Sequence, residues 1–141
     1  MSAAGATRRR SRPPRPADSR QAALLAAAAA WDKKAFDLLL LDVAELSGYT
    51  DYFLLASGRS TRQATAVAEA VRRTLKSAGL KAIGIDGVRE GRWALLDYGD
   101  VVIHVFHQPV REFYDLESHW ADAPRVELDP EELAAVLPPK E

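Results

Sequence analysis

The 141-residue chain contains no cysteine, so disulfide scaffolds, thiolate metal centres and cysteine nucleophiles are excluded. A reducing intracellular compartment is the expected home. Long apolar runs are missing too: Leu24 to Trp31 is mostly alanine and far short of the roughly 20 residues needed to cross a bilayer. The expectation is a soluble cytoplasmic protein with no membrane partner. Histidine is scarce, and two of the three residues, His104 and His107, lie three apart in a β-branched run. Side chains on a strand alternate faces, so these two point apart and cannot chelate one ion. Paired carboxylates at alternate strand positions, which hold magnesium for phosphoryl or nucleotidyl transfer, are also absent. Asp97 and Asp100 flank a turn at Gly99, where turn chemistry accounts for them, and Asp42 and Glu45 have odd spacing at a strand end. No metal, cofactor or catalytic residue is expected.

What is present is enough for one core: 48% of the chain is hydrophobic. The net charge of -1 hides a division, because residues 1–20 carry six arginines against Asp18, a local charge of +5, and the remainder is therefore -6. An acidic body disfavours generic nucleic-acid binding and allows a basic protein partner, while the tail is suited to RNA. Residues 1–18 are rich in Arg and Pro and lack apolar periodicity, so a disordered tail is expected. Transit peptides share this composition, but Pro13, Pro14 and Pro16 break the amphipathic helix they form. A solvated extension on a bacterial protein is the plainer reading.

The alanine-rich run from Ser19 predicts a helix to about Ala35. Leu38–Val43 and Tyr52–Ala56 read as strands of one hairpin. Ser60 and Gln63 form a capping box that starts a helix, with Ala64, Val67, Val71, Leu75 and Ala78 on its apolar face and Gly79 ending it. Lys81–Ile85, Arg92–Asp97 and Val101–His107 read as three further strands, the last two joined at Gly99. Val110 to Asp122 predicts one terminal helix, and Asp129 with Pro130 opens a further short one. The expected fold is α/β: a mixed five-stranded sheet flanked by helices in the order αββαβββα. The expected division is a tail (1–18), one domain (19–126) and an extension carrying a short helix (127–141).

Among the residues that remain for function, Ser57 to Thr61 sits between a strand and a helix N-terminus, a place where amides can hold an anion. It lacks phosphate-loop spacing, and Ser60 is already engaged as a cap. Ser57, Ser60 and Asp100 form no nucleophile-elbow pattern. His104 reads more plainly as a polar strand residue than as a base. The stronger signal is a surface. Trp93, Leu95 and Asp97 share one strand face, Val102, His104 and Phe106 share a face of the neighbouring strand, and Tyr114, Glu117 and Trp120 are spaced by three on the terminal helix. Aromatic anchors beside acidic residues suit a protein interface, and core packing of the two tryptophans is the competing account.

Three blocks then carry a resemblance: Asp51 to Gln63 (DYFLLASGRSTRQ), Glu90 to Phe106 (EGRWALLDYGDVVIHVF) and Arg111 to Trp120 (REFYDLESHW). In this order and spacing they resemble the ribosomal silencing factor family, RsfS, also called the Iojap family. The resemblance implies a nucleotidyltransferase-like fold without transferase activity. It also implies binding to the large ribosomal subunit through ribosomal protein L-fourteen, steric blocking of small-subunit joining when nutrients are scarce, and a homodimer off the ribosome. On that footing Trp93 is an apolar anchor, Asp97 and Asp100 are acidic contacts, His104 lies on the adjacent strand, and Tyr114 and Glu117 contribute from the helix. The tail is a source of ribosomal RNA contacts. An active nucleotidyltransferase using Ser57 to Thr61 and an RNA-binding module working through the tail are the two alternatives.

Overall fold

The computed structural model describes residues 19–137, and the expected disordered tail lies outside them. In chain order the elements are helix α1 (Ser19–Asp32), strand β1 (Phe36–Asp42), helix α2 (Ala44–Ser47), strand β2 (Tyr52–Gly58), helix α3 (Thr61–Ser77) and strands β3 (Gly84–Asp86), β4 (Trp93–Asp97) and β5 (Val101–His107). Helices α4 (Gln108–Tyr114) and α5 (Leu116–His119), strand β6 (Arg125–Val126) and helix α6 (Pro130–Val136) complete the described chain. One mixed sheet runs β3-β4-β5-β2-β1-β6. Its central pair, β2 and β5, is parallel, with Tyr52 opposite Val101 and Gly58 opposite His107; the other neighbours are antiparallel. Both central strands are buried almost throughout, which is why they read as continuous apolar runs.

The expected α/β class stands, but the sheet has six strands and not five. The sixth, β6, pairs only Val126 with Leu40 and Arg125 with Leu41, too short a run to carry a periodic signal. A second correction concerns β3. The strand expected over residues 81–85 is shortened and shifted to Gly84–Asp86, and all three residues are exposed. A third is the terminal helix, which breaks at Asp115, where φ is +50°. Aspartate tolerates this left-handed conformation better than most residues, and the break divides the helix into α4 and α5.

Helices α1, α3 and α6 cover one face of the sheet. Ser60 caps α3 as expected, its Oγ accepting from the Gln63 amide at 3.0 Å, and Ala64, Val67, Val71 and Leu75 are buried. The run from Ala23 to Ala30 in α1 is buried along its whole length, because the helix lies against the sheet, α3 and α6 at once. Alanine at these positions lets the neighbouring backbones approach closely. Leu133 of α6 is 2% exposed and belongs to this core. The other face holds a second cluster of Leu41, Val43, Phe53, Leu55, Val102 and Phe106, onto which the short α4–α5 unit and Trp93 pack.

Candidate functional site

On this second face the register places Trp93 opposite Phe106, Leu95 opposite His104 and Asp97 opposite Val102. Side-chain alternation therefore gathers an aromatic group on β4 and β5, and α4 brings Tyr114 to its edge. The Trp93 ring lies 4.9 Å from Phe106, 5.1 Å from Tyr114 and 6.0 Å from His104, centroid to centroid. Its indole Nε1–H donates to His104 Nδ1 at 3.1 Å, fixing the orientation of the half-buried ring. Since Nδ1 accepts, the neutral imidazole carries its proton on Nε2, which is buried without a partner. Burial pushes His104 down to a pKa of about 4. A charged imidazole is strongly disfavoured here, and the ring acts as an uncharged acceptor supporting Trp93.

The face stays open beyond this group. Tyr114 is 49% exposed and Phe113 is 80% exposed, with the two rings edge to face at 5.0 Å. Trp120 turns inward instead, meeting Phe53 at 4.9 Å and 90°. The two tryptophans thus divide between the accounts offered by the sequence: Trp120 packs against the core, and Trp93 bridges core and surface.

The acidic candidates are spread out. Asp97 shares the face with Trp93 but lies at the other end of β4, roughly 13 Å along the strand at about 3.3 Å per residue. One of its carboxylate oxygens, Oδ1, accepts from the Gly99 amide at 2.8 Å, the expected turn contact. Asp100 is half-buried in the same turn, and its carbonyl accepts from the Asp51 and Tyr52 amides. Glu117 is separated from Tyr114 by the break at Asp115. Its Oε2 accepts from Arg111 Nε at 3.1 Å, so it holds α5 against α4.

Arg111 is the residue that sequence reasoning missed. It is 6% exposed, and its Nη1 donates to the Asp37 carbonyl at 2.6 Å and to Ser57 Oγ at 2.8 Å. Asp37, at φ +51°, marks the irregularity in β1 that presents this carbonyl. A single guanidinium thus ties α4 and α5 to the ends of β1 and β2 and positions Tyr114. The available signal was its place at the head of the block Arg111 to Trp120. Ser57 is correspondingly a buried hydrogen-bond partner of Arg111. The adjoining turn is filled by its own helix: a side chain at Gly58 would come within 2.8 Å of the Ala64 amide nitrogen. Among the described residues, no group of three or more His, Cys, Asp or Glu is placed to hold a metal ion, and no helix is long and apolar enough to cross a membrane.

The model of the RsfS family, described as ribosomal silencing factor during starvation, matches residues 16–140. The chain belongs to the RsfS family. It is 44% identical over 105 residues to the ribosomal silencing factor RsfS of Bacillus subtilis, covering 74% of this chain and 89% of that protein. A more distant relative is the mouse mitochondrial assembly of ribosomal large subunit protein 1, 32% identical over 91 residues and covering 62% of this chain and 40% of that protein. A crystal structure from Chromobacterium violaceum superimposes with a TM-score of 0.72 at 38% identity, covering 74% of this chain and 87% of that one. RsfS membership gives the chain a ribosome-associated silencing role. The family is named for silencing and not for an enzyme.

Proposed function

We propose that this chain binds the large ribosomal subunit through ribosomal protein L-fourteen, using the β4–β5–α4 face, and silences translation by sterically blocking the small subunit. The observation that carries this reading is the open aromatic group of Trp93, Tyr114 and Phe113, oriented by a neutral buried histidine beside a sheet face with acidic residues at its far end. Large anchors of this kind supply most of the energy of a protein interface, and flanking acids favour a basic partner such as a ribosomal protein. The action requires no bond to be made or broken. The chain acts as a spacer, consistent with the engagement of Ser57 and Ser60 in structural hydrogen bonds.

The direct test is co-sedimentation of the full chain with purified large subunits and, separately, with isolated L-fourteen. Binding to both is expected, and Trp93→Ala or Tyr114→Ala should weaken each by about 2 kcal/mol or more. Unaltered binding by either variant would remove that residue from the interface. Deleting residues 1–18 is expected to leave binding in place while reducing its salt dependence, because the arginines there add contacts to ribosomal RNA. Calorimetry with magnesium and nucleotides is expected to give no heat, and turnover of a nucleotide would return the turn at Ser57 to Thr61 to consideration.

A further inference from the structure

The sheet has a second unfinished surface, on the opposite face and at the opposite edge from β6. Helix α3 lies over β2, β5 and β4, but the outermost strand, β3, projects past it. Ile85 points to the α3 side, since its cross-strand partner Leu96 is in the core beneath α3, yet Ile85 is 40% exposed and nearby Ile83 is 73% exposed. Between this bare strand and the C-terminal half of α3 runs a groove of about 860 Å³, floored by Leu80, Ala82, Ile83, Ile85 and Tyr98. Its rim carries Arg72, Arg73, Lys76 and Lys81 against Glu69, a net charge of +3 on a body that is otherwise acidic.

We infer that this groove receives an acidic amphipathic helix of a protein partner, lying beside α3 and completing the helical layer over β3. The apolar floor suits the apolar stripe of such a helix, and the cationic rim suits glutamates and aspartates along its flanks. Three residues of β3 offer too short an edge for an added strand to gain much. A second copy of this chain docking by two-fold symmetry would set one +3 rim against another, which disfavours self-association here. RNA would neutralise the rim but find isoleucine where single strands need an exposed aromatic platform, since Tyr98 is 9% exposed. The groove and the Trp93 face lie on opposite sides of the sheet, so a chain docked through Trp93 keeps the groove open.

The test uses the full isotope-labelled chain and a synthetic helical peptide with leucines at i, i+3, i+4 and i+7 and glutamates elsewhere. A scrambled peptide of identical composition and a uridine-rich oligonucleotide serve as competing probes. The helical peptide should shift amide resonances between Arg72 and Asp86 while leaving Trp93 and Tyr114 unmoved. Its affinity should fall at least tenfold in Arg73→Glu/Lys81→Glu and in Ile83→Ser, and should survive Arg73→Lys/Lys81→Arg. Equal binding of the scrambled peptide, tighter binding of the oligonucleotide at these residues, or self-association abolished by Ile83→Ser would each overturn the assignment. Because ribosomes take no part in this experiment, its failure would leave the proposed silencing function untouched.

Discussion

At the scale of single residues, the central pair is Trp93 and His104. The indole bond to Nδ1 requires a neutral imidazole, and burial enforces neutrality by lowering the pKa to about 4. Unfolding restores a value near 6.5, so between about pH 4 and 6.5 the unfolded chain binds more protons and stability rises with pH. The contribution is fully present above pH 6.5 and is lost as the pH falls toward 4, a change on the order of 3 kcal/mol for this one group. Urea melts across that range should show this slope, and His104→Gln should flatten it. An imidazole that titrates near 6.5 in the folded chain, observed by NMR, would contradict the burial argument. The sequence placed Trp93 and His104 each on one face of two neighbouring strands, but it did not reveal that the indole reaches diagonally to the imidazole, which ring nitrogen accepts, or that the ring is closed to solvent. Those facts depend on how Phe53 and Phe106 pack around it.

At the scale of elements, the α4–α5 unit is held by the Arg111 bonds together with the packing of Val110, Leu116 and Trp120 on the second cluster. Arg111→Met should cost about 3 kcal/mol, because it leaves Ser57 Oγ and the Asp37 carbonyl without their donor and Glu117 without its cation. Hydrogen exchange over residues 108–120 should accelerate more than in the α3 region. Glu117→Gln keeps a hydrogen-bond acceptor and should cost much less; equal costs for the two variants would show that the ion pair alone matters. Helix α3 was legible because its cap, apolar stripe and closing glycine all agree. The break at Asp115 was not, since helical spacing of Val110, Phe113, Leu116, Glu117 and Trp120 continues across it, and only tertiary contacts make two short helices preferable. Strand β6 is not legible because two residues have no period, and β3 is shorter than the apolar run suggests because the ladder with β4 ends at Gly84, where the Ile83 amide makes one last bond to the Asp97 carbonyl.

At the scale of the whole molecule, the described sheet has one thick side built from α1, α3 and α6 and one thinner side that carries the short helices α4 and α5. The thick side gives rigidity, and the thin side leaves the Trp93 group within reach of a partner. This asymmetry follows from the chain order, with one crossover helix between the central parallel strands and two short helices after β5. The mixed α/β layering was legible in the alternation of apolar runs and helical stripes. The division of labour between faces was only half legible, since Trp93 and Trp120 carry the same label in sequence but point to different environments. The central claim is that this thin side keeps two ribosomal subunits apart by occupying space. Its most direct measurement is the fraction of joined ribosomes on a sucrose gradient after large subunits, preincubated with the chain, meet small subunits. The account predicts a dose-dependent fall with the wild-type chain and none with Trp93→Ala/Tyr114→Ala at equal concentration. Normal joining in excess wild-type chain, or an equal fall with the double variant, would contradict it.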